Sequence, residues 1–152
     1  AGGHLGLVLG KTEERDGMEG EGNTGHSSAV QAVASLVGPT DLTAEFPQAV
    51  QTMLSDLVGG NNQEALRRAS PSDHLSPDDP PILLVYGTED PLVPYSQATT
   101  MLTACEPAKV NAELITIQGG GHGSGGKARD WVDANTRLDE YLDTHLEKQS
   151  AI

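Results

Sequence analysis

The sequence predicts an α/β protein, a parallel sheet with flanking helices in three layers (α/β/α). Three observations predict it. Helical and strand-like patterns alternate along the 152 residues, as they do when crossover helices join parallel strands. Residues 82–86 (Ile-Leu-Leu-Val-Tyr) form a short, almost wholly apolar run, which suits a strand buried on both faces. Two strand-like runs end in polar, glycine-containing turns, Gly87-Thr88-Glu89-Asp90-Pro91 and Gly119-Gly120-Gly121-His122-Gly123. Each turn is followed by a helical pattern.

The elements follow in order. Residues 1–10 are small and apolar and read as a buried helix entered through glycines, which allow close backbone packing. Residues 11–28 are polar, glycine-rich and aperiodic, and read as a surface loop. Residues 30–37 read as a strand stopped by Gly38-Pro39, with Asp41 or Thr43 capping the turn that follows. Residues 46–58 carry Val50, Met53, Leu54 and Leu57 at helical spacing before Gly59-Gly60. Residues 63–69 form a second short helix, and 70–81 a proline-rich loop. After the strand at 82–86 comes a helix starting at Pro94 or Tyr95 and ending at Cys105, then a strand at 112–117. Residues 128–147 close the chain as an amphipathic helix whose apolar stripe is Trp131, Val132, Leu138, Tyr141, Leu142 and Leu146.

Composition narrows the function. The formal charge is −13 and the pI about 4.5, a field that repels phosphate backbones and anionic membrane surfaces. Neither a nucleic-acid nor a membrane partner is expected; homo-oligomerisation is left open. The acidic cluster Glu13, Glu14, Asp16, Glu19 and Glu21 reads as solvated surface. The single cysteine, Cys105, lies in an apolar helical pattern and reads as a buried small side chain rather than a reactive thiol. No His, Cys or carboxylate group shows zinc-ligand spacing, so neither metal nor cofactor is expected. The stretch Gly6-Leu7-Val8-Leu9-Gly10-Lys11-Thr12 has three residues between its glycines where a phosphate-binding loop needs four, and nucleotide binding is rejected.

In open α/β sheets, function gathers at the carboxyl ends of the strands. Asp90 and His122 both follow strands there. A carboxylate that accepts the imidazole proton fixes the ring's tautomer and leaves the other nitrogen free as a general base. Glu89 is the alternative acid. His4 reads as a packing residue, and His26, His74 and His145 as surface residues.

The order Asp then His matches the last two members of the α/β-hydrolase triad. Gly87-Thr88-Glu89-Asp90-Pro91-Leu92-Val93-Pro94 resembles the acid segment of esterases in that superfamily, and Gly119-Gly120-Gly121-His122-Gly123 their histidine loop. The segment from Val30 to Leu42, ending Gly38-Pro39-Thr40-Asp41-Leu42, resembles the stretch between nucleophile and acid, and Asp78-Asp79-Pro80-Pro81 also fits. Together these resemble the carboxylesterase branch that includes acetyl-xylan and feruloyl esterase-like enzymes. In that branch the nucleophile elbow reads Gly-x-Ser-Ala-Gly-Gly-His-Leu, and this chain opens Ala1-Gly2-Gly3-His4-Leu5.

The resemblance implies that residues 1–152 are the C-terminal portion of a single α/β-hydrolase domain, with the serine immediately before Ala1. It implies that the Ala1 backbone N–H lies in the oxyanion hole, that Asp90 and His122 complete the triad, and that the substrate is a small-molecule or polysaccharide-linked ester. Neither Gly25-His26-Ser27-Ser28-Ala29 nor Ser124 has the strand-to-helix setting of a replacement nucleophile, so the chain by itself is expected to be inactive. A peptidase of the prolyl-oligopeptidase type and an arylformamidase share the same triad and remain alternatives.

Overall fold

A computed structural model describes residues 1–11, 22 and 26–146. The acidic cluster at 13–21, Thr12 and the predicted helix end at Glu147 lie outside these residues. Among the described residues, five helices and three strands occur in the predicted order: α1 (Gly2–Lys11), β1 (Val33–Leu36), α2 (Gln48–Val58), α3 (Gln63–Arg68), β2 (Ile82–Gly87), α4 (Ser96–Ala108), β3 (Ala112–Ile117) and α5 (Ala128–His145). A single 3-10 turn, Pro71–Asp73, interrupts the proline-rich loop.

The three strands pair in the order β1-β2-β3, all parallel. β2 is buried at every residue, as its unbroken apolar run predicts for a central strand. Successive side chains alternate between faces. Ile82, Leu84 and Tyr86 pack with Leu7 of α1 and with Ala98, Met101 and Cys105 of α4. Val85 packs with Ile117, Ala134 and Trp131 under α5. Helices thus cover both faces, giving the three layers expected.

β1 is shorter than the predicted 30–37 because its partner cannot extend it. Pairing starts at Val33↔Ile82, and the Val33 N–H donates to the Pro81 carbonyl at 3.0 Å. Pro80 and Pro81 have no N–H to return. At the other end Val37 turns to φ 47°, leaving the strand.

Two amphipathic stripes also differ from expectation. On α5 the inward face is Trp131, Ala134, Leu138 and Tyr141, while Val132 and Leu146 are 62% and 46% exposed. Val132 lies about 100° round the helix from Trp131 and cannot share its face. On α2, Val50 and Leu54 pack against the core, but Met53 and Leu57 face outward. α4 runs past Cys105 to Ala108, with Pro107 inside the last turn and Lys109 closing it in a left-handed conformation. Cys105 is buried, and burial pushes its thiol pKa up.

Lys11 is the clearest departure, since the sequence pattern places it in a polar surface loop. It ends α1 fully buried, its Nζ donating to the Pro80 carbonyl at 2.7 Å with Asp79 Oδ2 at 3.8 Å. Asp79 is itself held by the Ser76 amide and hydroxyl, each at 3.0 Å. The ammonium therefore ties α1 to the lead-in of β2. Desolvation lowers the Lys11 pKa below 10.5, opposed by the charges of Asp79 and Cys105.

Between the lowered folded value and the unfolded one the unfolded chain binds the proton more readily, so this group adds stability as pH rises through that window. Lys11→Met removes the pH-dependent term. It also leaves Asp79 buried without its counter-charge, a loss of about 3 kcal/mol. Urea unfolding of Lys11→Met and of Lys11→Met/Asp79→Asn checks this: the double variant is expected to recover most of the loss.

Candidate active site

The strands deliver two side chains to one edge of the sheet. β2 ends at Gly87 and β3 at Ile117, directly paired. The two loops that follow are tied together three times. Thr88 N–H donates to the Ile117 carbonyl (3.0 Å), Glu89 N–H to the Gly120 carbonyl (2.8 Å), and Gly119 N–H to Thr88 Oγ1 (2.9 Å). Such close approach requires glycine: a Cβ on Gly87 would stand 2.1 Å from the Gly120 carbonyl oxygen.

Across this junction His122 Nδ1 meets Asp90 Oδ2 at 2.8 Å. The other carboxylate oxygen, Oδ1, accepts the backbone N–H of Leu92 at 2.8 Å and of Val93 at 2.9 Å. The Asp90 side chain is fully buried and that of His122 is 36% exposed. An ionised carboxylate can only accept, so Nδ1 carries the proton and Nε2 the lone pair of the neutral ring. Glu89, the alternative acid, is exposed and contributes its backbone N–H instead.

The N-terminus of α1 reaches the same edge. Gly3 and Gly38 pack backbone against backbone: a Cβ on Gly38 would lie 2.5 Å from the Gly3 carbonyl carbon. Ser35 Oγ donates to the Gly3 carbonyl at 3.1 Å, fixing the first turn of α1 on the end of β1. Ala1 is exposed there, and its carbonyl accepts the Leu5 N–H. The free amides and dipole of a helix N-terminus favour negative charge at this position.

Tyr86 on β2 donates its buried hydroxyl to the Gly38 carbonyl, so the end of β2 holds the Gly3–Gly38 contact in register. Burial, and next the Asp90 carboxylate, push the Tyr86 pKa above its ordinary value, which keeps the phenol a neutral donor.

The remaining candidates fall outside this junction. His4 Nε2 pairs with the Ala69 carbonyl at 2.8 Å, joining α1 to the end of α3. Asp41 caps its own turn, with Oδ1 accepting the Thr43 N–H and hydroxyl. His26 and Ser27 are exposed. His74 and His145 are partly buried rather than on the open surface, bonding the carbonyls of Arg68 and Tyr141. Among the described residues no three His, Cys, Asp or Glu side chains converge as a metal site. A groove of about 520 Å³ between α2 and α3 is lined by residues including Leu42, Gln48, Ser55 and Leu66, and by neither Asp90 nor His122.

Periodicity does not reveal Gln97. Its side chain is buried, with Oε1 accepting the Thr40 and Asp41 amides at 2.8 Å and Nε2 donating to the Asp41 carbonyl. It holds the loop after β1 against the start of α4. A signal for Tyr86 was present: a phenol ending a strand buried on both faces needs a polar partner.

Comparison with known proteins bears on the fold and the family. The structure resembles a truncated carbohydrate esterase from gut microbiota, at TM-score 0.70 and 28% identity over 91% of this chain and 56% of that one. It also resembles the thermophilic esterase Est2 of the Planctomycetes species Thermogutta terrifontis, at TM-score 0.74 and 22% identity over 99% of this chain and 55% of that one. Esterase LipC of Mycobacterium tuberculosis is 25% identical over 131 residues, 81% of this chain and 32% of that protein. The chain thus spans little more than half of these solved structures and about a third of the curated relative. Residues 1–105, more than two thirds of the chain, match the family model described as BD-FAE. With the three-layer parallel fold, this places the chain in the α/β-hydrolases, as a member of the BD-FAE family.

Proposed function

We propose that residues 1–152 are the C-terminal portion of an α/β-hydrolase domain and supply the acid and base of a carboxylic ester hydrolase. The observation that carries the reading is the 2.8 Å contact between His122 and buried Asp90 on loops after adjacent parallel strands, with the α1 N-terminus on the same edge. Further support comes from the esterase names of its relatives. In this reading the sheet continues beyond β1, beside which Leu5, Leu9 and Leu36 stand exposed.

The nucleophile in this reading is a serine immediately before Ala1. Its hydroxyl attacks the ester carbonyl while His122 Nε2 takes the proton. Asp90 keeps the ring in the correct tautomer and stabilises the imidazolium. The oxyanion is held by backbone amides, that of Ala1 among them. The tetrahedral adduct collapses, the carbon–alkoxy bond breaks, and His122 returns the proton to the leaving alcohol. Water, activated by the same nitrogen, then releases the acid and regenerates the serine.

The substrate is a small-molecule or carbohydrate ester, in keeping with the carbohydrate esterase among its structural relatives. The full-length protein is expected to hydrolyse p-nitrophenyl acetate and to leave a proline-directed peptide substrate intact. The opposite preference would replace the esterase reading with a peptidase one.

A further inference from the structure

The loop that presents His122 closes its own tip, Gly121 N–H donating to the Ser124 carbonyl at 2.5 Å and Gly123 N–H to the Gly121 carbonyl at 2.9 Å, but it is otherwise built almost wholly of glycine. Six of the eight residues from 119 to 126 are glycine. Gly119, Gly123, Gly125 and Gly126 all have positive φ. Glycine loses more conformational freedom on ordering than any other residue, so this loop's conformation depends on its anchors. The incoming limb is tied to the acid loop through Thr88 and Glu89. The outgoing limb pairs with it through the Gly120↔Gly125 bridge and is gripped from outside by the chain's single tryptophan. The Trp131 indole N–H donates to the Gly125 carbonyl at 2.8 Å. The same ring packs against the Val85, Ile117 and Ala134 cluster, so the donor stands on the sheet that carries both loops.

We infer that Trp131 is a positioning residue for His122: its N–H on Gly125 fixes the returning limb of the loop and thereby keeps the imidazole on Asp90. The inference rests on the reading of His122 as the general base, but its geometry can be tested separately. Asp90 is fixed by two amides of its own loop, so loosening the Gly125 limb moves the ring and leaves the carboxylate in place. A small shift of that kind costs turnover more than binding, because proton transfer needs near-ideal geometry.

The test uses the His122 Nδ1–H resonance in proton NMR of the full-length protein, assigned by its loss in His122→Gln. Wild type is expected to show it downfield of the amides and slow to exchange with solvent. Trp131 is then replaced by 3-benzothienylalanine, which keeps the ring's shape and removes the N–H; Trp131→Phe is the genetically encoded counterpart. Exchange of the resonance is expected to quicken about tenfold, the worth of one hydrogen bond, while the analogue's unfolding midpoint stays close to wild type. In the full-length enzyme the same change is expected to lower kcat about tenfold with little change in KM.

Unchanged exchange in the analogue would overturn the positioning role. Absence of the resonance in wild type would overturn the His122–Asp90 pairing on which that role rests. Full esterase activity in His122→Ala would instead sink the catalytic reading alone.

Discussion

Asp90→Asn in the full-length enzyme is expected to lower kcat for p-nitrophenyl acetate by about 10⁴-fold while leaving the fold intact. The size follows from what each carboxylate oxygen does. Oδ1 accepts two backbone amides from Leu92 and Val93, and an asparagine oxygen can accept the same two bonds. That orientation turns the NH2 group toward His122 Nδ1, where Oδ2 stood. A donor facing Nδ1 drives the ring proton to Nε2, the nitrogen that accepts the serine proton in the proposed mechanism. The variant should therefore fold and bind substrate but lack a base. A kcat within about tenfold of wild type would show that Asp90 does not set the tautomer.

Gly87→Ala is the second substitution with a large expected effect. The new Cβ would lie 2.1 Å from the Gly120 oxygen, 2.3 Å from its carbon and 2.7 Å from the Gly121 oxygen. All three are backbone atoms of the histidine loop, so no side chain can swing aside. Either β2 or the loop must move, at a cost of at least about 1–3 kcal/mol. Movement also breaks the Glu89-to-Gly120 bond that brings the acid and histidine loops together. Urea unfolding should show the loss, and activity should fall with it. Gly22→Ala is the control, because nothing lies within 4 Å of a Cβ there and its φ is not positive. It is expected to leave stability within about 0.5 kcal/mol of wild type.

These two positions show what was legible in the sequence and why. β2 is legible nearly to the residue because a strand buried on both faces has no polar positions to blur it, whereas β3, only partly buried and carrying Glu113 and Thr116, is marked by Leu114-Ile115 at its centre and by the glycine-rich turn that ends it. Asp90 and His122 stand out because functional groups in such sheets gather after strand ends, and the structure brings their side chains to 2.8 Å. Their contact brings together loops 32 residues apart through a fit that glycine allows, which a pattern can suggest but not measure.

The parts that were not legible are long-range and non-periodic. Lys11 follows glycine at the start of a polar stretch, and only its partners at Asp79 and Pro80, nearly 70 residues away, make it a buried residue. The side-chain amide of Gln97 and the indole of Trp131 serve backbone groups of loops, leaving no trace in hydrophobic spacing. β1 is shorter than its sequence pattern because the prolines of its neighbour limit one end and the turn of Val37 to φ 47° limits the other.

In the proposed function His122 is the base of a serine esterase whose nucleophile precedes Ala1. The most direct measurement is p-nitrophenyl acetate turnover by the full-length protein, wild type against His122→Ala, with folding confirmed by circular dichroism. The variant is expected to fold and its kcat to fall by about 10⁶-fold. A folded variant that keeps wild-type turnover would contradict it.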